Sequence, residues 1–112
     1  MASIRVKPLR DQYGVIRDAS KILPQEFHSK FIDALAELED NECHIQRSFP
    51  VTRLHKVRGT KHSIYRADID KITGWRLHVQ YCDPELCLID ILEGQKHDHA
   101  LKAIKAKRQR YS

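Results

Sequence analysis

Two neighbouring stretches of the chain each place an arginine on the polar side of a strict alternation of apolar and polar residues. The first stretch, His62–Asp70, carries Arg66, and the second, Gly74–Tyr81, carries Arg76. Alternation with a period of two is typical of antiparallel strands that turn one face to the core. We therefore expect both arginines on the polar face of one sheet, where paired cations suit an anionic partner.

Other titratable residues share this predicted polar face. Asp68 and Asp70 lie on the side of Arg66, and His78 lies on the side of Arg76. A carboxylate within about 4–6 Å of an arginine pairs with it and weakens its attraction for an anion. Two interpretations stay open: an anion-binding surface, or a solvated face whose charges pair with one another.

A further basic segment follows the last predicted strand. Gly94 is followed by Gln95, Lys96 and His97. An unperturbed imidazole titrates near neutral pH, so His97 is a candidate proton donor or acceptor. The alternative is that His97 is a surface residue near the start of a helix.

The cysteines and histidines do not form a recognisable metal or disulfide pattern. Cys43, Cys82 and Cys87 are odd in number and contain no CxxC pair, which disfavours a zinc site or a disulfide framework. Cys82 and Cys87 flank a predicted turn, either as small buried residues or as a redox pair. The single H-x-H at His97–His99 lacks further ligands at a suitable spacing. We expect neither a metal nor a cofactor.

The charge is distributed unevenly along the chain. Up to Thr52 there are seven Lys and Arg residues against eight Asp and Glu, and from Arg53 onward there are thirteen against seven. A basic second half suits a nucleic acid or an acidic protein segment. A solvated basic helix near the C-terminus would give the same imbalance.

The elements that position these residues begin with a helical hairpin. A short strand is predicted at Ile4–Val6. Apolar residues then recur at helical spacing over Leu9–Leu23, and Pro24 breaks the helix because its ring clashes with the preceding turn. A second helix is predicted over Phe27–Leu38.

The second half is predicted to form the sheet. Asn41–Pro50 is predicted as a loop, Lys71–Gly74 as a hairpin turn, Leu86–Leu92 as a buried, central strand and His97–Arg110 as a helix. The order β-α-α-β-β-β-α predicts an α+β fold, in which the helical hairpin packs on one face of a small antiparallel sheet and leaves the other face open. With 112 residues, the chain is expected to form a single domain, residues 1–112.

The sequence also indicates where the protein is found. It has no apolar run near the roughly 20 residues that span a bilayer. Its first residues, Met1–Arg5, lack the apolar region of a signal peptide. The expected location is therefore the cytoplasm.

Four segments in order resemble the RelE/ParE toxin superfamily. They are Leu54–Gly59, Tyr65–Ile69, Gly74–Leu77 and Ile91–His97. In order, they match four features typical of that family. The first two are a leucine and a glycine before the sheet, and a strand that begins with a tyrosine followed by a basic residue. The last two are a strand with the sequence glycine, aromatic, arginine, leucine, and a final strand that ends in a glycine followed by basic residues.

The resemblance implies a toxin of a type II toxin–antitoxin system, neutralised by a small antitoxin protein. RelE-like members cleave mRNA in the ribosomal A site without a metal and so inhibit translation, whereas ParE-like members inhibit DNA gyrase. Arg76 then matches the arginine that binds the scissile phosphate, and Arg66 a basic position of the preceding strand. Lys96 and His97 fall near the family's basic residue after the last strand.

The sequence departs from the RelE-like pattern at two places. Asp68 stands where active members often have a second lysine, and no tyrosine follows the last strand at the usual spacing. These departures leave a ParE-like toxin, or an inactive binding protein with the toxin fold, as alternatives to the endoribonuclease.

Overall fold

The computed structural model describes residues 6–58 and 63–93. Over these residues the chain folds as an α+β protein with a five-stranded sheet, which confirms the predicted fold class. The helices are α1 (Val15–Ile22), α2 (His28–Glu39), preceded by a single 3₁₀ turn at Gln25–Phe27, and α3 (Asn41–Gln46); the strands are β1 (Leu9–Arg10), β2 (His55–Lys56), β3 (Tyr65–Asp70), β4 (Trp75–Cys82) and β5 (Glu85–Leu92). None of the helices within the described ranges has the length and apolar character that crossing a membrane requires.

The sheet is mixed rather than purely antiparallel. Its strand order is β1-β5-β4-β3-β2, and β1 runs parallel to β5. The other three pairings are antiparallel, as the alternation predicts. The strand that the sequence predicted to be central is β5, and it lies between β1 and β4.

The N-terminal boundaries differ from the prediction. Val6 forms an isolated bridge to Asp40, and the other two residues of the predicted first strand, Ile4 and Arg5, lie outside the described residues. A parallel strand lies at Leu9–Arg10, where a helix was expected. The Asp11 carboxylate accepts the N–H groups of the first two residues of α1, at 2.6 and 2.9 Å. Gly14, just before α1, has a φ of 69°, in the left-handed region that glycine adopts readily. These two residues fix the start of the helix after the strand.

Both predicted helices are present, as α1 and α2, whereas the following loop contains a helix that the sequence did not indicate. Pro24 separates α1 from the 3₁₀ turn and α2. The predicted loop Asn41–Pro50 begins with α3, which Asp40 caps by accepting the Glu42 N–H at 3.0 Å. A six-residue helix is too short to show an apolar stripe, so the pattern could not reveal it.

The main core lies between the helical hairpin and one face of the sheet. Phe31, Leu35 and Leu38 of α2 pack there with Leu77 and Val79 of β4. Fifteen buried residues form this cluster, in agreement with the predicted apolar side of both strands.

A buried carboxylate fastens α2 to the segment that leads into the sheet. Glu37 accepts hydrogen bonds from the N–H groups of Val51 and Thr52 and from the Thr52 hydroxyl, at 2.7, 2.8 and 2.6 Å. A buried charge requires such partners to offset its lost hydration. These bonds hold the segment that precedes β2 against α2.

The prediction of an open polar face was wrong. Arg76 and His78 of β4 are only 1% and 0% exposed, and Asp90 of β5 is 3% exposed. A second apolar cluster, Val57, Ile64, Cys87 and Ile89, also forms there. Alternation reports which residues share a face but not what packs over them, so it could not predict this burial. The predicted helix His97–Arg110 lies outside the described residues.

The two cysteines beside the β4–β5 turn differ in environment. Cys82 is exposed, whereas Cys87 is buried. Burial and a hydrogen bond with Cys82 raise the pKa of the Cys87 thiol to about 11. Cys87 is therefore protonated at neutral pH and serves as a small core residue.

Candidate anion-binding site

Strand register brings four polar residues into one row across the sheet, on the face opposite the helical hairpin. His55 of β2 is paired with Arg66 of β3, Arg66 with His78 of β4, and His78 with Asp90 of β5. Directly paired residues have Cβ atoms about 4.5–5.5 Å apart. Two imidazoles, a guanidinium and a carboxylate thus lie side by side.

The neighbouring row contains the second predicted arginine. Asp68 of β3 is paired with Arg76 of β4. Arg66 extends from the first row and donates from Nε to Asp68 Oδ1 at 2.9 Å. The side chain of Arg66 is 30% exposed and that of Asp68 8% exposed. The expected pairing of Arg66 with Asp68 is therefore present, and it reduces the positive charge that Arg66 offers to an anion.

Asp70 does not belong to this face, contrary to the prediction. The register shifts between Asp68 and Asp70, so that Asp70 is paired with Trp75. Its carboxylate contacts Lys30 Nζ of α2 at 2.6 Å and accepts from Thr73 in the β3–β4 turn. These bonds lower the pKa of Asp70 to about 2. A bulge adds one residue to the strand, which reverses the face of every later side chain.

The two predicted arginines line one cleft of about 210 Å³. We call it the cation cleft; its lining residues are His55, Lys56, Val57, Arg58, Arg66, Arg76 and His78. Four of these residues are cations, and Asp68, beside the cleft, is the carboxylate paired with one of them. Lys96 and His97, the other two predicted site residues, lie outside the described part of the chain.

The cations of the cleft differ in burial. Lys56 and Arg58 are exposed, Arg66 is partly exposed and Arg76 is buried. Exposed cations attract a polyanion from solution, whereas a buried guanidinium supplies fixed charge with weaker screening. This arrangement suits a chain of phosphates better than a single small anion.

His55 is a cleft residue that the sequence did not single out. Its Nδ1 lies 2.8 Å from the backbone oxygen of Arg53. A carbonyl only accepts, so in the neutral ring Nδ1 carries the proton and Nε2 is the acceptor. Arg53 has a φ of 52°, a left-handed conformation that is uncommon outside glycine. A two-residue strand has no readable periodicity, and only its place in the Leu54–Gly59 segment could have marked His55.

Asp90 is the second residue that sequence reasoning missed. It lies in β5, whose run of apolar neighbours predicted a fully buried strand. Its Oδ1 accepts the N–H of Ile91 at 2.9 Å, and its strand partner is His78. A buried carboxylate opposite a buried imidazole can hold that ring in one orientation.

What the cation cleft can do chemically follows from its donors. It offers guanidinium and ammonium groups for phosphate oxygens, and an imidazole nitrogen that accepts a proton. Within residues 6–58 and 63–93, no three His, Cys, Asp or Glu side chains are grouped so that they could hold a metal ion.

No family model matches the chain, and no curated protein or solved structure is significantly similar to it.

Proposed function

We propose that this protein is the toxin of a type II toxin–antitoxin system and that it cleaves mRNA on the ribosome in the manner of RelE-like toxins. The observation that carries the proposal is the cation cleft, in which Arg66 and Arg76 lie together with two further cations. The order of elements and the four sequence segments of the RelE/ParE resemblance support the same interpretation.

The reaction proposed is an attack of the RNA on itself. The 2′-oxygen of a ribose forms a bond to the adjacent phosphorus, and the bond from phosphorus to the 5′-oxygen of the next nucleotide breaks. The products are a 2′,3′-cyclic phosphate and a free 5′-hydroxyl. The reaction needs a proton acceptor at the 2′-oxygen, cations around the phosphorane and a proton donor at the 5′-oxygen.

The described residues can supply the first two of these groups. We assign the proton acceptor to Nε2 of His55, because the Arg53 carbonyl fixes the tautomer that leaves this nitrogen unprotonated. Arg66 and Arg76 stabilise the negative charge that grows on the phosphorane oxygens. The candidate for the proton donor is His97, whose imidazole titrates near neutral pH; the resemblance places a basic residue of the family near Lys96 or His97.

The partners follow from the same proposal. The substrate is mRNA in the ribosomal A site, and a cognate antitoxin covers the toxin through acidic and apolar residues. A small acidic open reading frame next to the gene would support this partner. No cofactor is required by the proposed reaction.

Toeprinting on translating ribosomes tests the proposal. The wild-type protein is expected to cut mRNA within A-site codons. Arg66→Gln and His55→Gln should each lower the cleavage rate by about 100-fold, the usual effect of losing one charge-stabilising or proton-transfer group. Because Arg76 is buried, the variant to use at this position is Arg76→Lys, which keeps the charge, rather than a truncation of the side chain.

The matched control is Lys71→Gln, which removes an exposed cation in the β3–β4 turn, outside the cation cleft. It should cleave at the wild-type rate. Intact mRNA with the wild-type protein would refute the nuclease proposal, and equal losses in Lys71→Gln and Arg66→Gln would refute the assignment to the cleft.

One observation favours a second candidate function. Arg66 is paired with Asp68, and Arg76 is buried, which suits a structural charge network as well as a reaction site. A ParE-like toxin that acts on DNA gyrase, or an inactive binding protein, would retain this network without cutting RNA. Intact mRNA together with inhibition in a gyrase supercoiling assay would select the ParE-like candidate.

A further inference from the structure

A second and larger cleft lies on the opposite face of the sheet, where α3 and the segment after it meet β3 and β4. Its volume is about 450 Å³. Four rings contribute to its wall, and we call it the aromatic cleft; they are His44, Phe49, Tyr65 and Tyr81. All four are partly exposed, so the cleft has an aromatic wall open to solvent.

The rings hold one another in place. The centroids of Tyr65 and Tyr81 are 5.1 Å apart, those of Tyr81 and His44 are 5.5 Å apart, and those of His44 and Phe49 are 5.0 Å apart, each pair edge to face. Such pairs are favourable beyond the area they bury. The wall is therefore formed before any ligand binds.

Hydrogen bonds fix the central ring of the cluster. His44 Nε2 lies 2.7 Å from the carbonyl oxygen of Leu38, and its Nδ1 lies 2.7 Å from the Tyr81 hydroxyl. The carbonyl only accepts, so Nε2 donates to it and the neutral ring accepts the Tyr81 proton at Nδ1. With both nitrogens of His44 engaged, the cleft is built for packing and stacking rather than proton transfer.

Cations line the same cleft. Lys7 Nζ contacts Asp83 at 2.9 Å and lies 5.4 Å from the centroid of the Tyr81 ring. Arg47 is exposed and ends α3 with a φ of 54°. The charged lining residues are thus two cations and one carboxylate. A net positive charge beside aromatic rings suits a ligand that combines a flat ring with a negative group.

The two clefts lie on opposite faces of the sheet, both at the edge formed by the short strand β2. Leu54 lines the aromatic cleft, whereas the next residue, His55, lines the cation cleft. Tyr65 and Arg66 are likewise adjacent in β3 and line opposite clefts. A ligand chain that crosses this edge of the sheet could reach both.

Backbone strain is found at both clefts. Arg47 and Arg53 are the two non-glycine residues with positive φ in the described ranges, and they bound the segment between α3 and β2. Arg47 lines the aromatic cleft, and the Arg53 carbonyl orients His55 in the cation cleft. Conformations of this kind persist where surrounding structure enforces them, often at ligand sites.

We propose that the aromatic cleft binds one base of a single-stranded RNA whose phosphates occupy the cation cleft. Stacking of bases on aromatic side chains beside a cationic groove is the general way in which proteins hold single strands. The inference rests on the proposed function for its substrate class, and it adds a subsite on the face of the sheet away from the reacting phosphate.

The test measures binding without cleavage. A fluorescently labelled 2′-O-methyl RNA oligonucleotide, which lacks the attacking hydroxyl, is titrated with protein and followed by anisotropy. A matched oligonucleotide lacks one base but keeps every phosphate, and the missing base is moved along the strand. The wild-type protein should lose at least about fivefold in affinity when the stacked base is missing.

The variants assign that loss to the cleft. Phe49→Leu should bind the intact oligonucleotide at least about fivefold more weakly and should no longer distinguish it from the abasic one. Phe49→Tyr, which keeps an aromatic ring at this position, should still bind the intact oligonucleotide more tightly than the abasic one. Phe27→Leu is the matched control, because Phe27 is an aromatic residue packed against the core outside both clefts.

The outcomes separate this inference from the nuclease proposal. Equal affinity for intact and abasic strands at every position, or equal losses in Phe49→Leu and Phe27→Leu, would overturn the subsite; an acidic protein segment as the true occupant would give that result. Base-dependent binding together with intact mRNA on ribosomes would keep the subsite and refute the nuclease. Cleavage that is abolished in Arg66→Gln, together with equal binding of intact and abasic strands, would keep the nuclease proposal and refute the subsite.

Discussion

The two arginines that alternation places on one face have different environments. Arg66 is partly exposed and bound to Asp68, whereas Arg76 is buried. A phosphate that binds Arg66 competes with a carboxylate already in place at 2.9 Å. Asp68 therefore moderates the affinity of the cation cleft for anions.

Replacing Asp68 tests this competition. Asp68→Asn removes one negative charge beside the cation cleft and keeps the shape of the side chain. We expect the uncleavable oligonucleotide to bind about threefold more tightly at low salt, a gain that shrinks as ionic strength rises. Anisotropy titrations at several salt concentrations measure it.

The control for that variant is Asp33→Asn, the same change of charge on an exposed position of α2. It should leave the affinity almost unchanged. Equal gains in both variants would mean that net charge, rather than the cation cleft, governs binding.

At the residue scale, the sequence predicted which side chains share a face, but not where the pattern is interrupted. Arg66, Asp68 and Arg76 lie together as predicted. Asp70 does not, because the register shift before it is stabilised by Lys30 and Thr73, and neither contact is visible in a pattern of alternation. His55 was missed because its role depends on a backbone carbonyl two residues away.

The elements that sequence reasoning missed are the shortest ones. α3 has six residues, and β1 and β2 have two each. Isolated segments of this length are unstable, and tertiary contacts decide their conformation. Glu37, for example, binds the chain just before β2. The longer β3, β4 and α2 carry enough apolar repeats to be predicted.

The attachment of α3 to the sheet should depend on pH. Burial and the nearby Lys7 charge lower the pKa of His44 below its ordinary value of 6.5 in the folded protein. Between these two pKa values the unfolded chain binds more protons than the folded one, so the free energy of unfolding rises with pH. The contribution of His44 to the free energy of unfolding is complete above pH 6.5, and it decreases as the pH is lowered through the range between the two pKa values.

Besides the cost of burying the charge, protonation of His44 would remove its bond to Tyr81. A protonated His44 carries hydrogen on both ring nitrogens and cannot accept the Tyr81 hydroxyl proton. Urea unfolding from pH 6.5 to about pH 5 should show a smaller loss of stability in His44→Gln than in the wild type. Identical pH dependence in the two proteins would contradict this account of α3.

At the scale of the whole molecule, the fold class and the helical side of the sheet were predictable, and the state of the opposite face was not. Periodicity identified Leu77 and Val79 as core residues facing the helical hairpin. It could not predict the burial of Arg76 and His78, because what covers a face is decided by other parts of the chain. The second cluster around Ile64 and Ile89 shows that this face also carries apolar packing.

The charge of the molecule fits the proposed substrate. The formal net charge is +5, and six cations against one carboxylate lie after Gly94, outside the described residues; the cation cleft itself contributes four cations beside one carboxylate. A local excess of positive charge speeds association with polyanions and makes their binding depend on salt. Because the same positive charge would attract any polyanion, the place where an oligonucleotide binds is a better test of the proposed site than its affinity.

The most direct measurement is an NMR map of the oligonucleotide on the protein. Amide chemical shifts of the ¹⁵N-labelled chain are followed while the 2′-O-methyl oligonucleotide is added. We expect the largest changes at His55–Arg58, Arg66 and Arg76–His78, within or beside the cation cleft. Changes that are largest instead around Lys30 and Ile72, beside a different cleft, would contradict this expectation.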